Sequence, residues 1–118
     1  YRENSIFDSW GVIKTNAFMD VMRQHPNVIL FHGHSHMVFE CQEYDKNANY
    51  TERNGFKSVH VPSLARPRVI NLTAGTTPED DSGSQGYIVD VYDNCIVLNG
   101  WDFVNNKYVP LGVYKIAT

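Results

Sequence analysis

Two histidines spaced two residues apart follow an apolar run, Val28-Ile29-Leu30-Phe31, within the segment His32-Gly33-His34-Ser35-His36. Neutral imidazole is the commonest side-chain metal ligand. In extended backbone, residues i and i+2 point to the same side. A strand running on through this segment would aim the rings of His34 and His36 into one small volume. Gly33 removes a Cβ where the chain has to turn or pass close to another segment. Ligand sites in open α/β sheets gather at the carboxyl ends of strands. The chemistry these residues fit is metal coordination by His34 and His36. His32 extends the pattern to His-x-His-x-His, and three imidazoles on one strand face could hold one zinc with an open position. Gly33 is expected to break the pleat, leaving His32 as the last strand residue, facing a polar layer. His60 lies in an alternating stretch and is a candidate to approach the same place. His25 precedes Pro26 at a helix end, where the helix dipole mildly favours a cation, and reads as structural. Asp80 and Asp81 lie in a Gly- and Ser-containing loop and could edge a site, but most such pairs are simply solvated, so neither is assigned.

The elements that must position these groups read as follows. Residues 14–24 form a helix with Ala17, Phe18, Val21 and Met22 on one apolar stripe. His25-Pro26-Asn27 ends it, because the residue before proline disfavours helical geometry. Residues 28–31 read as a strand buried on both faces, and residues 37–41 as another. Residues 42–54 are a polar loop closing on the Asn54-Gly55 turn signal. Residues 56–61 and 69–73 are expected strands, with a loop over 76–84. Residues 86–92 and 95–98 form the clearest hairpin, and Asp93-Asn94 suits the positive φ values of a two-residue type I′ turn. A second hairpin over Asn105-Asn106 joins 101–104 to 107–109. Residues 1–11 read as a polar loop carrying Phe7 and Trp10. A helix feeding a short apolar strand signals layered α/β architecture, here followed by a mostly antiparallel sheet.

The 118 residues suffice for one domain with a modest core. Hydrophobic residues make up 42% of the chain, too many for a disordered tail. A net charge of -3 argues against a nucleic-acid binder that relies on bulk positive charge. No apolar run reaches the roughly 18 residues of a membrane span, and no targeting segment is visible, which leaves the compartment open. Cys41 and Cys95 form no C-x-x-C pair and read as two free thiols. Asn49-Tyr50-Thr51 and Asn71-Leu72-Thr73 match a glycosylation acceptor pattern that is frequent by chance.

Gly33-His34-Ser35-His36 after an apolar strand resembles the last signature block, Gly-His-x-His, of the calcineurin-like metallophosphoesterases. The order of helix, proline, apolar strand and Gly-His-x-His is similar to that of the family. So are Val61-Pro62-Ser63-Leu64 and the closing strands around Gly86-Tyr87-Ile88-Val89-Asp90-Val91-Tyr92 and Asp102-Phe103. The resemblance spans nearly the whole chain, though only Gly-His-x-His is a functional signature. It implies the C-terminal portion of a four-layer αββα sandwich, with residues 1–118 as one piece of a single domain. The family's earlier blocks, Asp-x-His, Gly-Asp-x-x-Asp and Gly-Asn-His-Asp/Glu, do not occur. The implied activity is hydrolysis of a phosphate ester by water activated at two metal ions (Mn, Fe or Zn), with His34 and His36 each serving one ion and Gly33, His32 and His60 around them. Two ions need roughly seven or eight protein ligands, so the chain by itself is expected to bind metal weakly and not to turn over substrate. Phosphomonoesters, cyclic nucleotides, lipid headgroups and phosphoproteins all fit the signature. The resemblance also implies apolar surface left uncovered at Val28, Phe31 and the strand over 86–91, and with it self-association or strand exchange between copies.

A second resemblance competes. His34 through Glu40 fits His-x-His-x-x-x-Glu, similar to the first metal motif of cupins, which would make the chain a small β-rich binding module with no phosphatase activity. Against it, Val28 and Asn47 stand where that motif has flanking glycines, no later Pro-x-Gly-x-x-His occurs, and an amphipathic helix precedes the motif.

Overall fold

The structure is a computed structural model that describes residues 15–52 and 55–118. The aromatic-bearing loop expected over 1–11, the helix start at Lys14 and Asn54 of the Asn-Gly turn lie outside those residues. The described chain is an α+β fold with one helix and mostly antiparallel strands in two sheets. The elements are α1 (Thr15–Arg23), β1 (Ile29–His32), β2 (Tyr50–Thr51), β3 (Lys57–His60), β4 (Gln85–Val91), β5 (Cys95–Asp102), β6 (Lys107–Tyr108) and β7 (Tyr114–Ala117). The first sheet has the order β1-β3-β2. In the second, β5 is central, with β4 on one side and β6 and β7 on the other. Among the described strands only β1 and β3 pair in parallel, in register from Ile29↔Lys57 to His32↔His60. No helix among the described residues is long and apolar enough to cross a membrane.

Helix α1 stops where the sequence places its stop. The N–H groups of Gln24 and His25 bond back to the carbonyls of Val21 and Met22, and Val28 N–H to that of His25. Its buried face differs from the expected stripe. Met19 and Met22 pack with Phe56, flanked by Phe18 and Leu30, whereas Val21 is 55% exposed and Ala17 is exposed too. Helical periodicity allows either of two adjacent stripes, and the flexible methionines fill the irregular gap under Phe56. Behind this layer, Val59, Leu98 and Ile116 form the core between the two sheets, joined by Ile29, Tyr50, Tyr87, Ile96 and Tyr114. The layers run helix, sheet, sheet.

Strand β1 is not buried on both faces. Ile29 and Leu30 are half-buried, while Val28 is 45% and Phe31 43% exposed, because β1 lies at the edge of its sheet. The exposure expected at Val28, Phe31 and the strand over 86–91 is present: Ile88, Val89 and Val91 are 42, 43 and 74% exposed.

Residues 37–41 do not form a strand. Met37 makes a single bridge to Arg68, and Phe39–Glu43 is a 3-10 turn. Val38, Phe39 and Cys41 are all buried, a pattern that the two-residue alternation of a strand cannot supply. The turn is held by buried polar groups. Phe39 N–H donates to Gln85 Oε1 (2.9 Å), and Asn49 Nδ2 donates to the carbonyls of Phe39 (2.8 Å) and Leu111 (3.0 Å). Buried amides of this kind must be paired, and here they tie the 3-10 turn to both sheets. Residues 69–73 are not a strand either. Asn71 and Thr76 exchange backbone hydrogen bonds across a tight turn, Asn71 Oδ1 accepts Ala74 N–H (3.0 Å), and Gly75 has φ 63°. The asparagine side chain gives the backbone a local alternative to sheet pairing.

The β4–β5 hairpin forms with Val91 opposite Ile96, but its turn is not type I′, since Asp93 and Asn94 both lack positive φ. The Asn94 carbonyl instead accepts Thr118 N–H from the C-terminal strand (3.2 Å). The second hairpin turns at Asn106, φ 51°. The Asp102 carboxylate stops β5 by accepting the N–H groups of Val104 and Asn105 and an Asn105 side-chain N–H. These bonds, those from Asn105 first, hold its pKa below the usual carboxylate value. Strands β2 and β7 have no counterpart among the sequence expectations.

Where β5 crosses the turn before β7 the backbones touch. A Cβ on Gly100 would lie 2.8 Å from Gly112 Cα and 2.9 Å from the Val109 carbonyl. Overpacking of this kind costs about 1–3 kcal/mol. Gly100→Ala is therefore expected to lower stability by about that amount, read as a fall in the urea midpoint at unchanged m-value; an unchanged midpoint would contradict the close approach.

Candidate metal centre at the end of β1

The parallel register of β1 and β3 sets His32 beside His60. Their rings lie 5.6 Å apart, tilted by 60°, and Val61 N–H donates to the His32 carbonyl at 2.7 Å. His32 is the last residue of β1, as the sequence indicates. Beyond it the chain does not stay extended: His34 has φ 79° and His36 φ 60°. The expectation that strand alternation presents both imidazoles on one side is therefore corrected, because the two residues sit in the left-handed region on either side of Ser35. Gly33 is not the residue that needs conformational freedom. Its hypothetical Cβ would meet the Val61 carbonyl at 3.4 Å, an ordinary contact.

Left-handed backbone costs a non-glycine residue roughly 1–2 kcal/mol, so neighbours must hold this turn. The His36 carbonyl accepts Arg68 N–H at 2.6 Å, and Val38 N–H donates to the Arg68 carbonyl at 3.1 Å. Met37 N–H donates to Ser35 Oγ at 3.3 Å. Ser35 Oγ and His60 Nε2 are hydrogen-bonded at 2.6 Å, with the imidazole tautomer deciding which one donates. His60 is thus brought to the histidine turn, joined through Ser35. Sequence reasoning passed over Ser35; its place between two histidines was the available signal. His34 is exposed and His36 half-buried. The Nδ1 atoms of His36 and His60 are buried without a hydrogen-bond partner among the described residues. His25, exposed, caps the turn after α1 through its backbone alone among the bonds described.

The remaining candidates lie elsewhere. Glu40 accepts Gln85 Nε2 at 3.1 Å and, with Asp80 and Asp102, lines a separate cleft of about 410 Å³. Asp80 is engaged locally: its carboxylate accepts Ser82 Oγ–H (2.6 Å) and Ser82 N–H (2.9 Å), which hold its pKa below the usual carboxylate value. No group of three or more His, Cys, Asp or Glu side chains is placed to hold a metal ion among the described residues. Glu40 therefore does not join His34 and His36 as a third donor.

Comparison of the chain with protein-family models, with curated proteins and with solved structures finds no match.

Burial lowers the pKa of both His32 and His60 to about 4, helped at His60 by the charge of His32. Both rings are neutral at pH 7. Between pH 6.5 and 4 the unfolded chain binds more protons than the folded one, so stability rises with pH over that window. It is complete above about pH 7 and is lost as pH falls toward 4. Urea midpoints are expected to drop from pH 7 to pH 4.5, and His60→Gln is expected to flatten the drop. Equal pH slopes in the two proteins would contradict it.

Proposed function

We propose that this chain carries the Gly-His-x-His portion of a dinuclear metal-dependent phosphoesterase, with His34 and His36 each donating to one ion. The observation that supports the reading is the turn itself. Two histidines are held in costly left-handed backbone directly after a strand, and His36 keeps a buried imidazole nitrogen with no hydrogen-bond partner among the described residues. An unpartnered buried polar atom ordinarily costs about 1–3 kcal/mol, and coordination would satisfy it. Two such donors fit one side of a metal centre and fall short of a whole one. The further ligands, and the fourth layer of the αββα sandwich, belong to sequence blocks this chain does not contain.

When bound, two such ions neutralise charge on a phosphoryl group and acidify water for in-line attack. What this chain's residues contribute is position. His34 and His36 set two donors on a short rigid turn. Ser35, bonded to His60, fixes that turn against β3. Buried His60 stays neutral at pH 7 and adds no positive charge next to a cation site. The resemblance, and not the donor set, points to phosphate esters as substrate, with metal identity among Mn, Fe and Zn open.

Calorimetric titration of the chain with Mn²⁺ and Zn²⁺ is expected to show weak binding that His34→Ala and His36→Ala each reduce at least tenfold. Hydrolysis of p-nitrophenyl phosphate is expected to be unmeasurable. Metal binding indifferent to both substitutions would overturn the assignment. Ordinary turnover that His34→Ala abolishes would overturn the ligand count.

A further inference from the structure

The hydrogen-bond pattern of β4 leaves one side of a seven-residue strand with unpaired backbone. In an antiparallel ladder, residues alternate between pairs that exchange hydrogen bonds and pairs that do not. Tyr92 N–H bonds to the Cys95 carbonyl at one end of the hairpin, and Phe103 N–H to the Ser84 carbonyl at the other. Counting inward from both ends gives the same phase. Gly86, Ile88 and Asp90 turn their N–H and C=O groups toward β5, and Gln85, Tyr87, Val89 and Val91 turn theirs away. The outward N–H of Gln85 is taken by the Ser63 carbonyl (3.1 Å). The outward groups of Tyr87, Val89 and Val91 have no backbone partner among the described residues.

This edge lacks the usual guards. Natural edge strands are protected by proline, lysine, bulges or brevity. Residues 85–91 contain no proline and no lysine, the ladder to β5 runs unbroken from Gln85↔Asp102 to Val91↔Ile96, and the only charge is Asp90, whose carboxylate is tied back to Asn99 Nδ2 at 2.8 Å. The side chains beside the edge are apolar and open: Val89 is 43%, Val91 74%, Phe31 43% and Leu64 63% exposed. Phe31, Leu64 and Val89 also line an apolar cavity of about 250 Å³ between the two sheets.

We propose that β4 pairs antiparallel with β4 of a second copy of this chain, through the outward groups of Tyr87, Val89 and Val91. The backbone decides the chemistry of the occupant, since a row of alternating donors and acceptors is matched by another extended strand. The strand's own sequence fits a second copy of itself. With a two-fold axis at Val89, that residue meets its own copy and Tyr87 meets Val91, all on the apolar inner face. Asp90 then faces Ile88, so no like charges stand directly opposite. Such a contact is isologous and closes at two copies. It joins the two four-stranded sheets into one and covers Val89 and Val91. The phosphoesterase resemblance implies the same uncovered strand, but the hydrogen-bond phase and register of β4 stand without it.

The test uses the whole chain and combines sedimentation velocity with amide hydrogen exchange. Dimer is expected at high micromolar concentration, with the Val89 and Val91 amides gaining at least tenfold protection as concentration rises. Val91→Pro removes one outward N–H and no β4–β5 bond. It is expected to raise the dimer dissociation constant at least tenfold with the far-ultraviolet spectrum and urea midpoint retained. Val89→Lys tests the same edge by charge, should the proline variant fail to fold. A monomer at every concentration would overturn the proposal. So would a dimer whose Val89 and Val91 amides exchange freely, or protection of those amides that is independent of concentration, which would mean pairing with a segment of the same chain.

Discussion

The parallel pairing of β1 with β3 is the constraint on which the rest of the arrangement rests. A parallel pair cannot close through a tight turn, so the chain between them must make a long excursion. Here that excursion contains the histidine turn, the 3-10 turn at Phe39–Glu43 and β2. Its two ends are fixed by register: Ile29 opposite Lys57, and His32 opposite His60. Slipping the register by one residue would move Val59 out of the core between the sheets and His60 away from Ser35. The same pairing thus sets both the apolar contact of Val59 with Leu98 and Ile116 and the polar contact of His60 with Ser35.

The two faces of β3 show how the molecule divides its tasks. Val59 is fully buried against the second sheet. Its neighbour His60 points the other way and carries an imidazole that burial keeps neutral. A neutral ring braces the turn that carries His34 and His36 without adding charge beside them. The local strain at His34 and His36 is supported from two directions, by the backbone of Arg68 and by the Ser35–His60 bond. Strained backbone persists only where its surroundings over-determine it, and these two supports come from separate segments of the chain.

A second organising feature is the paired amide of Asn49. It lies fully buried and reaches the carbonyls of Phe39 and Leu111 from opposite ends of the sequence. Gly100 and Gly112 approach closely next to this point, and a Cβ on Gly112 would lie 2.8 Å from the Phe39 ring. The turn after β1, the long β5 and the C-terminal strand are thereby locked together on one side. Among the described residues β1 and β4 are also sheet edges, with Phe31, Val89 and Val91 exposed along them.

The sequence by itself determined the features that depend on neighbours along the chain. The helix before Pro26, the strand ending at His32 and the pairing of residues 86–92 with 95–98 follow from periodicity and proline geometry, whereas the continuation of that second strand to Asp102 does not. It misjudged segments whose conformation is set from a distance. Residues 37–41 look like a strand until Asn49 and Gln85 supply partners for a 3-10 turn, and Asp93-Asn94 looks like a type I′ turn until Thr118 bonds to its carbonyl. The buried stripe of α1 was ambiguous by one residue until Phe56 arrived to fill it. Only the tertiary structure decided that the two histidines sit in left-handed backbone and that His60 reaches them through Ser35. Those relations join residues about 25 positions apart, and register between strands, not local preference, brings such residues together.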